Sequence, residues 1–205
     1  MTTLILVLLA YLLGSVPFAV LVSRGFGLAD PRSYGSKNPG ATNVMRSGNK
    51  VAAALTLLGD ALKGWLAVWL ARRFGPEFGL GDAAVAMAGL AAFIGHLFPL
   101  FLGFKGGKGV ATAAGALIGF SAGMGFSLLG VWVVTVAIFR YSSLGAIAAA
   151  AATPLVFLVF GDGNAYFYAA TVMAGFLIWR HRGNIRRLMA GEETRIGRKA
   201  SANQS

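Results

Sequence analysis

Five uncharged stretches occupy most of this chain: Met1 to Ser23, Ala83 to Phe104, Gly109 to Phe139, Tyr141 to Gly161 and Gly163 to Trp179. A helix needs about 20 apolar residues to cross the core of a bilayer, within a range of about 17 to 25. A soluble protein does not bury five such runs in 205 residues. Only 12% of the residues are charged, about half the share usual in soluble domains. The chain therefore reads as an all-α polytopic membrane protein forming one domain over residues 1–205, with 199–205 a disordered tail. The first run lacks a basic n-region, and its apolar stretch is too long for a signal h-region, so it is expected to stay as a first helix.

About seven spans are expected. They cover roughly Thr2 to Ser23, Val51 to Ala71, Ala83 to Gly103, two spans within Val110 to Phe139, Ser143 to Phe160 and Ala165 to Trp179. At about 1.5 Å rise per residue, Val110 to Phe139 is too long for one upright helix. We split it near Gly119, Ser121, Gly123 and Gly125. Charge supports the split, because Lys and Arg collect on the cytoplasmic side. With the hairpin, the Arg24 to Lys50 loop, Lys105, Lys108, Arg140 and the basic tail from Arg180 share one side. Only Arg72 and Arg73 lie opposite, and Lys63 lies within a span. The amino terminus is then outside and the carboxyl terminus cytoplasmic.

The net charge of +11 suits nucleic acid, anionic lipid or phosphorylated substrates. In a membrane chain part of it is orientation signal, and no nucleic-acid partner is expected. The chain has no cysteine, which removes disulfides, thiolate metal sites and acyl-thioester intermediates on the protein. No Asp, Glu or His cluster has metal-ligand spacing, so neither metal nor other cofactor is expected.

Chemistry belongs where polar, Gly-rich sequence meets the cytoplasmic ends. The first such stretch runs from Gly35 through Ser36, Lys37, Asn38, Pro39, Gly40, Ala41, Thr42 and Asn43 to Arg46. Gly and Asn permit positive φ, so N–H groups can converge on an anion. Ser36, Thr42 and Asn43 add donors, and Arg46 a planar fork suited to phosphate. The same stretch also fits a solvated turn with Arg46 as orientation charge. The second runs from Gly95 and His96 to Lys105, Gly106, Gly107, Lys108, Gly109 and Thr112. Glycines and lysines before an apolar helix favour phosphate, although a flexible basic loop is the plainer alternative. It is not a nucleotide P-loop: Leu102 stands where the first Gly belongs, and Gly109 replaces the Ser/Thr. His96 reads as a hydrogen-bonded packing residue.

The third stretch runs from His181 through Asn184 and Arg187 to Glu193. On a continuing helix His181, Asn184 and Arg187 share a face; the basic run alone would also anchor a helix at anionic lipid. Asp60 and Lys63 lie one turn apart inside a span, where lone charges are costly. They read as an ion pair, or as a brace for the loops.

Taken together, these stretches resemble the acyl-phosphate-dependent glycerol-3-phosphate acyltransferases, a bacterial membrane family. The resemblance extends to Gly14 to Phe18, to Asp60, Lys63 and Gly64, and to nearly the whole chain. One departure is Lys37, where a glycine is common. The resemblance implies seven spans in the bacterial cytoplasmic membrane and an active site at the cytoplasmic face. It implies acyl transfer from acyl phosphate to the 1-hydroxyl of sn-glycerol-3-phosphate, yielding lysophosphatidate and phosphate for phospholipid biosynthesis. By position, Ser36, Arg46, Lys105, His181 and Asn184 would hold glycerol-3-phosphate. Gly40, Ala41, Thr42, Asn43, Gly106, Gly107, Lys108 and Gly109 would hold the acyl-phosphate end. Membrane lipid is the remaining partner, and a monomer is expected.

The residue chemistry fits that reaction. Cations offset repulsion between two phosphorylated substrates, and N–H donors can stabilise an oxyanion. Acyl phosphate is already activated, so no covalent intermediate is needed, and no Asp-His pair marks Ser36 as a nucleophile. Either His181 or the leaving phosphate takes the hydroxyl proton; the second fits better, with His181 positioning substrate. A transporter of a phosphorylated solute is the rival. It predicts inverted repeats and midplane charges in both halves, whereas only Asp60 and Lys63 lie within a span.

Overall fold

The computed structural model describes residues 1–160 and 163–197, and every regular element among them is helical. The expected tail at 199–205 lies outside the described residues. Ten α-helices follow in order: α1 Thr2–Ser15, α2 Phe18–Gly25, α3 Ala41–Val44, α4 Lys50–Phe74, α5 Asp82–Leu97, α6 Val110–Phe120, α7 Ala122–Phe139, α8 Ser142–Phe160, α9 Asn164–Arg180 and α10 Arg182–Met189. Among the described residues, five stretches are long and apolar enough to cross a membrane: Thr2–Gly25, Lys50–Phe78, Asp82–Leu102, Ala122–Phe139 and Ser142–Phe160. Helices suit lipid because each satisfies its own backbone hydrogen bonds. Large apolar side chains face outward where a soluble protein would place polar ones, with Leu158 80% and Val159 72% exposed.

The division of residues 110–139 falls at Ser121. Its backbone turns extended (φ −151°, ψ 122°), and its hydroxyl accepts the Met124 N–H. With 11 residues, α6 rises only about 16 Å, half the ~30 Å hydrocarbon core. Two apolar runs expected to be continuous are broken. Pro17 has no N–H to offer, so the first span bends between α1 and α2. Before Pro99, α5 stops at Leu97 and a 3₁₀ turn, Leu100–Leu102, follows.

α4 is the central post. Its buried residues Ala52, Thr56, Gly59, Asp60, Lys63, Gly64, Ala67 and Ala71 form a small-residue stripe at helical spacing. A Cβ on Gly64 would strike the Thr112 carbonyl of α6, and one on Gly115 the Ala61 carbonyl of α4. Gly14 and Gly95 abut the Ala92 and Tyr11 carbonyls in the same way, locking α1 to α5. Where lipid supplies no hydrophobic drive, close backbone approach is the main source of packing energy. Phe93, Leu97, Met124 and Met173 fill the centre.

The two ends of the bundle differ. At one, Arg72 of α4 donates to the Phe120 carbonyl (2.9 Å), and Tyr166 donates to Asp82 (2.6 Å). At the other, the Thr42 and Ser142 hydroxyls lie 3.4 Å apart, Arg180 reaches the Gly106 carbonyl, the Ile196 N–H donates to the Arg140 carbonyl, and the Arg140 guanidinium donates back to the Ile196 carbonyl. The loops that charge placed on a common side therefore meet.

Candidate active site

At that meeting point lies an open cavity of about 540 Å³, lined by Gly35, Ser36, Asn38, Arg46, Lys108, Arg180, Arg182, Gly183, Asn184, Arg186, Arg187, Glu193 and Thr194. All three polar stretches contribute to it.

The first wall is organised by Asn43, which is buried. Its Nδ2 donates to the Pro31 carbonyl (2.6 Å) and the Tyr34 carbonyl (3.2 Å). Its Oδ1 accepts the Ser36 N–H (3.0 Å) and the Arg46 guanidinium (3.4 Å). Asn43 thus holds the loop, while the Ser36 hydroxyl and Arg46 remain exposed. Gly35 sits at φ +56°, and a Cβ there would strike Asn43 Oδ1, so both conformation and space require glycine. Gly40 caps α3 and Ala41 begins it. Lys37 takes φ +55°, a left-handed conformation that costs an L-residue about 1–2 kcal/mol; this explains why glycine suits that position.

The second wall is the turn from α5 to α6. Gly106 N–H donates to the Leu97 carbonyl and Gly107 N–H to the His96 carbonyl, both at 3.2 Å. These two donors are spent on the end of α5 and do not face the cavity. Gly109, at φ +84°, caps α6, and a Cβ there would enter the Phe93 ring. Lys108 projects into the cavity and donates to Asn184 Oδ1. Burial lowers its pKa to about 8, against the opposing pull of Glu193.

Beneath this turn, Asp60 and Lys63 pair at 2.8 Å, each almost fully buried. Lys63 also donates to the Val16 carbonyl (2.8 Å), which lies just past the end of α1 and accepts the Phe18 N–H as well (3.1 Å). His96 Nδ1 lies 3.4 Å from Asp60 Oδ1, too misaligned for a hydrogen bond. The opposite ring nitrogen occupies the space a Gly107 Cβ would need. The ion pair therefore holds the α1–α2 break and abuts the glycine turn through His96.

The third wall differs from expectation in one respect. The helix does not continue through His181: α9 ends at Arg180 and α10 starts at Arg182. His181 is 2% exposed and does not line the cavity. Its Nδ1 sits 2.7 Å from the Leu177 carbonyl. A carbonyl only accepts, so Nδ1 carries the proton and Nε2 is left as an acceptor. Burial first, and Lys108 second, lower its pKa to about 4. Asn184 and Arg187 do share a face, since both donate to Glu193, at 2.6 and 2.7 Å. Ser143 also donates to Glu193 (2.7 Å). Burial raises the Glu193 pKa, but these hydrogen bonds outweigh it and hold the carboxyl below its usual range.

Ser36, Arg46, Lys108 and Asn184 thus face one space. Lys105 is exposed and does not line that space, and Thr42 points toward Ser142. Glu193 closes the third stretch as its carboxylate anchor, and Arg180 is the residue whose role the sequence does not show. By sequence Arg180 reads only as an orientation charge, yet it binds the glycine turn.

A family model described as glycerol-3-phosphate acyltransferase matches residues 4–191. Glycerol-3-phosphate acyltransferases of Burkholderia multivorans and Paraburkholderia phymatum are 58% and 56% identical to the chain, over 99% and 98% of it and 96% of each relative. Two crystal structures of PlsY (YgiH), an integral membrane glycerol 3-phosphate acyltransferase, superpose with TM-scores of 0.88 and 0.87 at 38% identity, covering 96% of both chains. One is the glycerol 3-phosphate form and the other the lysophosphatidic acid form.

Proposed function

The chain belongs to the glycerol-3-phosphate acyltransferase family and is an integral membrane enzyme of phospholipid biosynthesis; from that premise we propose that its donor is an acyl phosphate, and that the cavity binds both phosphates. The carrying observation is the convergence of Ser36, Arg46, Lys108 and Asn184, from three distant stretches, on one open space.

In this reading glycerol-3-phosphate is held by Ser36, Arg46 and Asn184 at the cavity wall, with Lys105 and His181, which do not line the cavity, closing on it when substrate binds. The acyl-phosphate end meets Lys108, Gly109 and the free N–H groups opening α6, where charge and helix dipole favour an anion. Gly106 and Gly107 shape that turn through the α5 carbonyls, and Gly40, Ala41, Thr42 and Asn43 shape its opposite wall. The 1-hydroxyl attacks the acyl carbonyl carbon, the C–O bond to phosphate breaks, and the leaving phosphate takes the hydroxyl proton. With a pKa near 4, His181 is a weak base at neutral pH. Once substrate reaches it, its Nε2, left as an acceptor, would orient the hydroxyl. Holding two anions together supplies proximity, and the fixed donors stabilise the developing oxyanion.

We further read the chain as one seven-span monomeric unit in the bacterial cytoplasmic membrane, with this end cytoplasmic. Support comes from the Lys and Arg excess at the cavity end.

Two experiments test the reading. Purified enzyme is given glycerol-3-phosphate with acyl phosphate or acyl-CoA. Phosphate and lysophosphatidate should form together, from acyl phosphate only; equal use of the thioester sinks the donor assignment. The chain has no cysteine, so single Lys105→Cys and Arg72→Cys variants report sidedness. An impermeant thiol reagent outside the cell should label Cys at 72 alone.

A further inference from the structure

We propose that Arg180 is a positioning residue, which fixes the anion-binding shape of the glycine turn by holding its carbonyl oxygens away from the cavity. The inference rests on the acyltransferase reading of that turn. The Arg180 guanidinium donates to the Gly106 carbonyl (2.8 Å) and twice to the Gly107 carbonyl (2.8 and 3.1 Å). Its side chain is half-buried and lies near the Phe98 and Trp179 rings, about 6 Å from each, which limits where it can swing.

Peptide geometry gives these bonds their consequence. In a planar trans peptide the C=O and N–H point in opposite directions. In the Gly106–Gly107 peptide, the carbonyl meets Arg180 and the N–H meets the His96 carbonyl. That unit is pinned at both ends. In the next peptide, the Gly107 carbonyl meets Arg180, while the Lys108 N–H has no acceptor among the described residues. Arg180 is therefore the only anchor described for that peptide. Without it the unit can flip, because glycine at 107 imposes little torsional preference. A flip would turn a carbonyl oxygen toward the place where an anion needs a donor. A fork-shaped guanidinium can span two adjacent carbonyls; a lysine ammonium cannot match that geometry.

The test uses the full-length purified chain. Arg180→Lys and Arg180→Gln are measured for KM with each substrate, for inhibition by inorganic phosphate, and for melting temperature in detergent. Losing such bonds should raise the acyl-phosphate KM and the phosphate inhibition constant about tenfold or more in both variants. The glycerol-3-phosphate KM should move less than about twofold. Wild-type constants in Arg180→Lys would overturn the proposal, since charge alone would then suffice. An equal fall in activity and melting temperature, with both KM values unchanged, would overturn it as well. A rise confined to the glycerol-3-phosphate KM would keep Arg180 as the anchor of the turn and overturn only the donor assignment. Should Arg180→Gln not fold, Arg180→Lys decides alone.

Discussion

The Lys108 ammonium donates to the side-chain oxygen of Asn184, 76 residues further along the chain. Asn184 passes the contact on, since its amide nitrogen donates to Glu193. A neutral amide thus links a cation to a carboxylate and aims the cation at the cavity. Asn184→Ala removes both bonds. At about 1.5–3 kcal/mol per charge-assisted bond, kcat/KM should fall by at least about tenfold, with Lys108 still present. Asn184→Asp should not rescue it, because a second carboxylate would face Glu193 and neutralise Lys108. Steady-state kinetics on both variants check this.

Lys108 also sets a pH limb. Only its protonated form offers charge to phosphate, and its pKa is lowered to about 8. The kcat/KM for acyl phosphate should therefore be flat below about pH 8 and fall above it, as the amine loses its proton. Lys108→Arg keeps its proton throughout, so the alkaline fall should vanish even if absolute activity drops. A wild-type alkaline limb that persists in Lys108→Arg would assign it to another group.

His181 titrates at the other end. Its pKa falls from 6.5 to about 4 on burial, so the folded protein holds it neutral where the unfolded chain would protonate it. The unfolded state then binds more protons between those values, and stability falls as pH drops from about 6.5 to about 4. The melting temperature of wild-type protein should fall over that window, and His181→Gln should show a shallower fall. His181 should add no activity limb near 6.5, so any limb there that belongs to the substrate phosphate, whose second pKa is about 6, should persist unchanged in His181→Gln.

How much of this was legible in the sequence depends on whether a feature is local. The Ser121 break was readable because the run was too long for one helix and the flanking charges had to share a side. The break at Val16 and Pro17 was not, because apolar character continues across it and hides the proline. Asp60 and Lys63 could be paired at helical spacing, but the Val16 carbonyl that Lys63 also binds lies in the break between α1 and α2, far away in sequence. Gly106 and Gly107 read as phosphate donors, yet their N–H groups are taken by the Leu97 and His96 carbonyls. Which carbonyl a loop N–H finds is a tertiary matter. Arg180 was hidden by its company: among so many basic residues, nothing local separates an orientation charge from a loop anchor.

Glycines in the helices divide by what surrounds them. A methyl at Gly115 would meet the Ala61 carbonyl, a backbone atom that cannot move aside, whereas Gly130 and Gly175 have nothing within 4 Å. Gly115→Ala should cost about 1–3 kcal/mol or more from overpacking. Gly130→Ala and Gly175→Ala should be neutral or stabilising by up to about 1 kcal/mol, from helix propensity. Melting temperatures in one detergent rank the three.

The buried Asp60–Lys63 pair allows the sharpest energetic test. Both side chains are out of solvent, at 4% and 2% exposure. Removing one partner strands the other charge, a change that typically costs about 3–5 kcal/mol. Asp60→Asn should therefore be severely destabilised, with Lys63 left near His96 and the Val16 carbonyl. Lys63→Met should be comparably poor. The double variant removes both charges and restores neutrality, so its loss should be smaller than the sum of the single losses by about 2 kcal/mol or more. Strict additivity would mean that each charge is already satisfied by something other than its partner. Activity adds a second reading: because His96 lies against both Asp60 and Gly107, a refolded double variant should still show a raised KM for acyl phosphate. If it regained full stability and wild-type KM together, the pair would be a packing device with no hold on the glycine turn.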